Sequence, residues 1–310
     1  MRNGCRSRLC RTRANTHATH LVVRAQPHGG GSSLRVLMQV AVTGVAGLIG
    51  GVVHDRLLER GHELVGIDLP HDAWVAASRN TDDERAPARV THHLDLASVA
   101  DAVLTEALSG VDVLVHLAAD ANPSNPDESI RSNNFIASER VMRCAAAAGI
   151  RRVVLASSGL VQIGLEQRLA PGGDLEGELI GVEHGVAPTS FYGESKVHVE
   201  MLGEEYAVGR NMECIAVRIG TVVADESEHW EREGRLQATA FLQSDVANFY
   251  ERAVEADLSG WSSASCSGHP QISGYLLTAA QSDSPGRFID LEPGISALGW
   301  QPNAWPEKAP

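Results

Sequence analysis

Tyr192 and Lys196 stand four residues apart in Tyr192-Gly193-Glu194-Ser195-Lys196. That spacing puts both side chains on one face of a helix. A phenol with a pKa of about 10 is a poor base at neutral pH. An ammonium beside it, and the positive ring of an oxidised nicotinamide, both favour the phenolate. The tyrosinate can then take a hydroxyl proton while hydride leaves for the nicotinamide. Lysine suits this place because its charge is compact, whereas a guanidinium is planar and forked. Of 26 basic residues only Lys196 and Lys308 are lysines. With two lysines and four tyrosines, an accidental Tyr-x-x-x-Lys pair has a probability of roughly 3%, so the spacing carries information that it would lack in a lysine-rich chain.

A second group could hold the hydride acceptor. Gly44-Val45-Ala46-Gly47-Leu48-Ile49-Gly50 follows an apolar run and opens an amphipathic one. That is the context in which a glycine triplet binds a dinucleotide. Gly44 permits a tight turn, and Gly47 lets backbone approach a pyrophosphate at a helix N-terminus, where Leu48 and Ile49 begin the helix. Gly50 permits close packing of helix on strand. Asp68 ends the next apolar run, where its carboxylate can accept from adenosine ribose hydroxyls and would repel a 2′-phosphate. Leu69-Pro70 brings no arginine beside it, which favours NAD over NADP.

The elements that must carry these residues alternate. Strands are expected at 36–42, 63–68, 90–95, 111–117, 153–157 and 213–218, and helices at 48–60, 98–108, 127–148, 192–208 and 238–256. Alternation of this kind implies βαβ units and an α/β fold built on a doubly wound parallel sheet. The pattern thins after Thr221. The expected division is a Rossmann domain over 38–220 and a small substrate cap over 221–310, partly interleaved with the core.

Residues 1–37 hold seven arginines and no acidic residue. Such a stretch resembles a transit peptide, or marks a start upstream of a native one at Met38. Either way it is expected to be disordered and outside the fold. Its Cys5, Cys10, His17 and His20 lack zinc-finger spacing, and no metal site is expected. Beyond it, 39 acidic residues face 19 basic ones, a net of −20. That balance argues against nucleic acid or an anionic membrane as a partner. It would suit a salt-rich cytoplasm, although a GC-rich genome would also favour arginine. No apolar run is long enough to span a bilayer. Five cysteines without regular spacing suggest a reducing compartment, and a cytoplasmic location is expected.

Together the glycine turn, Asp68, His116-Leu117-Ala118-Ala119, Asn134, Ser157-Ser158 and the Tyr192/Lys196 pair resemble an extended short-chain dehydrogenase/reductase of the NAD-dependent epimerase/dehydratase type. The resemblance implies that Asp95 and Leu96 bracket the adenine and that Leu117, Ala118 and Ala119 line the cofactor by their backbone. It implies that Asn134 braces the active-site helix, that Ser158 hydrogen-bonds the substrate oxygen and that the protein is a homodimer. The segments 217–220, 241–246 and 297–302 are similar to the compact sugar-oxidising branch, which includes uronate dehydrogenases.

One departure is plain. Uronate dehydrogenases resemble Ser-Ser-Asn-His after the fifth strand, and here Ser158 precedes Gly159-Leu160. The Asn and His sugar contacts have no counterpart, and neither does the Asp-Glu pair of dehydratases. For an anionic substrate, Arg218, Arg232 and Arg235 are candidate partners, each with a structural role as the alternative. The leading expectation is an NAD-dependent oxidoreductase acting on a sugar, sugar acid or sugar phosphate. A nucleotide-sugar epimerase with tightly bound NAD and a non-catalytic dinucleotide-binding redox sensor are the alternatives.

Overall fold

Val40, Ala41 and Val42 form the heart of β1 (Gln39–Thr43) and have no exposed surface, as an apolar strand covered on both faces requires. The computed structural model describes residues 36–70, 83–228, 234–258, 261–263 and 272–306. The leader expectation for residues 1–35, Arg232 and Lys308 lie outside the described residues.

From Met38 onward, the order is β1, α1 (Leu48–Glu59), β2 (Glu63–Asp68), α2 (Ala86–Arg89), β3 (His92–His93), α3 (Asp101–Ala107) and β4 (Val113–His116). Next come α4 (Asp127–Ile130), a π-helical turn at Arg131–Ile136, α5 (Ala137–Ala148), β5 (Arg152–Ser158), α6 (Phe191–Arg210) and β6 (Glu213–Ile219). The last part contains α7 (Arg235–Ala238), α8 (Gln243–Glu255), the antiparallel pair β7 (Ser262–Ser263) and β8 (Ile272–Ser273), β9 (Tyr275–Ala280) and α9 (Glu292–Leu298).

Seven strands form one parallel sheet in the order β3-β2-β1-β4-β5-β6-β9. The chain runs outward from β1 to β3, then restarts at β4 on the other side of β1. The carboxyl ends of β1 and β4 therefore flank the crevice in which open α/β sheets bind ligands. One apolar layer, including Val53, Leu57, Phe249 and Trp300, covers one face, and another, including Leu104, Val141, Leu202 and Tyr275, covers the other.

Two expected elements differ. The strand expected at 90–95 keeps only His92–His93 in the ladder, because the Asp95 carboxylate accepts from Ala97 N and Ser98 Oγ and turns the chain. That turn delays α3 to Asp101. The helix expected at 127–148 is interrupted by the π turn. The expected cap region supplies β9, which pairs with β6 along its full length, and α8, which packs against α1. Arg56 of α1 and Arg60, which caps it, pair with Glu251 and Glu255 of α8 across that contact. No helix among the described residues is long and apolar enough to cross a membrane.

Candidate active site

The glycine turn is fixed by its neighbours. Gly44 has φ +74°, and a Cβ there would lie 2.8 Å from the Ala118 nitrogen. Only glycine combines that conformation with that approach. A Cβ on Gly50 would meet the Gly44 carbonyl oxygen at 2.1 Å, so α1 can begin this close to β1 only without a side chain. Asp68, buried at the end of β2, accepts from Ala46 N and Leu69 N, each at 2.8 Å. The carboxylate thereby ties the turn to β2.

A slot opens beside Asp68. It is lined by Asp95, Leu96, Ala118 and Ala119, and also by Asn133 and Ala137. Four residues expected at the cofactor thus meet in one place with Asp68. Leu48 lines a second hollow next to Ala46 and Gly47, whereas Ile49 and Leu117 pack against the core. An apolar slot ending in a carboxylate suits an adenosine, and a side-chain-free turn at a helix N-terminus suits a pyrophosphate. The residues present therefore fit a dinucleotide.

The reacting end is at β5 and α6. Ser190 caps α6 by accepting from Gly193 N at 3.1 Å, which sets the helix start just before Tyr192. Tyr192 is buried, and Ser158, the last residue of β5, is close enough to its phenol to lower its pKa. Ser158 Oγ accepts from Leu160 N at 3.2 Å, so it also caps the turn after β5. Lys196 Nζ lies 5.7 Å from the Tyr192 ring centroid and donates to the Ala156 carbonyl at 3.0 Å. Burial pushes Tyr192 above its ordinary pKa, the Ser158 hydroxyl pulls it down and the Asp120 charge raises it again. Burial also lowers Lys196 to about 8, which leaves it mainly charged at neutral pH.

Asn134 stands behind these groups, fully buried in the π turn. Its Oδ1 accepts from Asp120 N at 2.8 Å, and its Nδ2 donates to Asp120 O at 3.1 Å and Ser195 Oγ at 3.0 Å. It therefore joins the loop after β4 to the helix of Tyr192. Asn134 does not line the slot, whereas its neighbour Asn133 does.

Several residues here were given no role of their own by the sequence. Asp120 is one. Its carboxylate accepts from Asn122 N, Asn125 Nδ2 and Ser129 Oγ, and the Asp-x-Asn-x-x-Asn spacing was a local signal of such a turn. His116 Nδ1 lies 2.7 Å from Thr43 Oγ1, and its Nε2 lies 3.0 Å from Ser138 Oγ. Burial, reinforced by the Lys196 charge, lowers His116 to about 3, so it links β1, β4 and α5 as a neutral ring. Arg85 and Arg89 reach the hollow by the glycine turn. Asp55 pairs with both, at 3.0 and 2.8 Å, and Asp83 holds Arg89 at 2.5 Å. Of the candidate anion partners, Arg218 is buried against Glu200 through two bonds of 2.8 Å, and Arg235 pairs with Glu166.

The family model described as the NAD dependent epimerase/dehydratase family matches residues 40–264. An L-arabinose 1-dehydrogenase (NAD(P)(+)) of Haloferax volcanii is 29% identical over 86% of this chain and 96% of its own. An NAD-dependent glucose-6-phosphate dehydrogenase of the same organism is 24% identical over 85% of this chain and 92% of its own. Among solved structures, the uronate dehydrogenase of Agrobacterium tumefaciens superposes with a TM-score of 0.64 at 25% identity, covering 86% of this chain and 85% of that one. Glycine turn, slot and β5–α6 site all lie within the matched residues or their immediate margin, and the chain belongs to the NAD-dependent epimerase/dehydratase family.

Proposed function

We propose that this protein is an NAD-dependent dehydrogenase that oxidises a hydroxyl of a sugar, sugar acid or sugar phosphate. The observation that carries the reading is the junction of β5 and α6. There the Ser158 hydroxyl acts on the Tyr192 phenol, lowering its pKa, and the Lys196 ammonium faces the Tyr192 ring, at the carboxyl edge of the sheet. The relatives that act on arabinose and glucose 6-phosphate support the substrate class.

Bound NAD supplies a hydride acceptor and a positive charge. Gly44, Gly47, Leu48, Ile49 and Gly50 would carry its pyrophosphate, and Asp68, Asp95, Leu96, Leu117, Ala118 and Ala119 its adenosine and the approach to the nicotinamide. Asn134 would act from behind, holding the Asp120 loop and α6 in register. Tyr192 removes the proton of the substrate hydroxyl through its phenolic oxygen. Ser158 holds the same substrate oxygen, so that oxygen is fixed between two hydroxyls. Lys196 stabilises the negative phenol and anchors itself on the Ala156 carbonyl.

The 38–220 part would then bind the cofactor and the 221–310 part cover the substrate, interleaved through β9 and α8. We also read the protein as a cytoplasmic homodimer. Its Cys144 and Cys214 are buried free thiols. Exposed Ile136 of the π turn and exposed Met201 and Val208 of α6 offer an apolar face for a second copy. Sedimentation at the monomer mass would count against that face.

The test is NAD reduction over a panel of aldoses, sugar acids and sugar phosphates. Net NADH formation is the expected result, and a tightly held cofactor with no net NADH would make the protein an epimerase instead. Tyr192→Phe is expected to lower kcat by about 100-fold or more. An unchanged rate in that variant would remove the tyrosine from the chemistry.

A further inference from the structure

At the sheet edge opposite the Tyr192 site, three arginines from three segments meet around a cavity of about 470 Å³. Arg143 comes from α5, Arg151 from the turn between α5 and β5, and Arg210 from the end of α6. The volume lies within the roughly 300–1,000 Å³ of ordinary small-molecule sites. Tyr206 forms part of the wall, and Ile150 and Met212 give it an apolar floor. Tyr206 follows Tyr192 on the same helix by almost four turns, about 20 Å along the axis. Ligands at the two places are therefore separable.

The charge runs against that of the molecule, which carries a net −13. Arg143 shares Asp101 with Arg140, at 2.9 and 3.0 Å. Arg151 and Arg210 are exposed and pair with no carboxylate among the described residues. Burial and the Glu205 charge push the Tyr206 phenol up, and Arg210 and Arg143 pull it down, so both cations act on the ring. Arg210 alone would be explained as a cation at a helix C-terminus. That account does not reach Arg151, which lies beyond the left-handed Gly149 cap of α5, or the hollow between them.

We propose that this cavity binds a small organic phosphate, with the phosphate between Arg151 and Arg210 and a planar body over Tyr206 and the apolar floor. Guanidinium forks match phosphate oxygens, and an aromatic wall beside an apolar floor favours a flat, partly apolar body over a bare ion. The proposal does not depend on the dehydrogenase reading.

Titration calorimetry with uridine 5′-monophosphate tests it, on full-length protein at low salt with saturating NAD to keep the cofactor site filled. Binding in the sub-millimolar range is expected for the unchanged protein and for Tyr192→Phe. It should weaken by about tenfold or more in the Arg151→Gln/Arg210→Gln double variant. Ala147→Glu, which keeps both arginines but places a negative side chain on the cavity wall, should lose it as well. Binding that survives both variants, binding lost in Tyr192→Phe, or no binding at millimolar nucleotide would each overturn the proposal. Inorganic phosphate should bind about tenfold more weakly than the nucleotide, and equal affinity would overturn the part assigned to Tyr206.

Discussion

Burial works against Tyr192 as a base. Its phenol is raised by desolvation and raised further by the Asp120 charge, with only the neighbouring Ser158 hydroxyl opposing them. Lys196 faces the ring, yet its own charge is weakened by burial, to a pKa of about 8. Asp120 is therefore a handle on the pH dependence. Asp120→Asn removes a negative charge and keeps an acceptor for Asn125 and Ser129. The phenol should titrate lower, and the acid limb of the kcat/KM profile should move to lower pH by a few tenths of a unit up to about one unit. A limb that stays in place, or moves up, would show that Asp120 does not act on Tyr192. Tyr192 and Lys196 were legible because their spacing is local and lysine is scarce. Asp120 was not singled out, because its charge reaches Tyr192 only once Asn134, from another element, fixes its backbone.

The elements were legible where apolar runs are short and bounded, as at β2 and β5. They were less so where the ladder depends on a neighbour. In Tyr275–Ala280 all six residues are buried, and the run follows Gly274, whose φ is +76°. Read alone it could be strand or helix, and only its pairing with β6 decides. The π turn was invisible for a different reason. Its apolar residues continue the helical stripe, and the extra residue per turn serves Asn134, whose three bonds go to Asp120 and Ser195. Asn134→Ala leaves half-buried backbone groups of Asp120 and the buried Ser195 hydroxyl without those partners and should cost about 1–3 kcal/mol of stability. A thermal melt within about a degree of the unchanged protein would show that the loop is held by other contacts.

Across the whole molecule, the part from Met38 carries a net charge near −20, which repels itself. Much of the surface basic complement is already paired, as in Arg56 and Arg60 with Glu251 and Glu255, or Arg168 with Asp174. Screening by salt should relieve the excess acidic repulsion more than it weakens these pairs. The melting temperature is expected to rise between low and molar potassium chloride, and a flat or falling curve would remove the adaptation to salt suggested by the composition. The charge could be read from the sequence, whereas the pairing could not, since α1 and α8 are far apart along the chain. The position of β9 has one more consequence, for biosynthesis. β6 is made long before the strand that covers its edge, and everything between them must be translated first. During that interval the nascent chain exposes a line of unpaired amides and carbonyls beside a finished nucleotide fold. Ribosome stalling or premature termination before Tyr275 would thus yield a chain in which β1 to β6 can form but whose open edge invites aggregation.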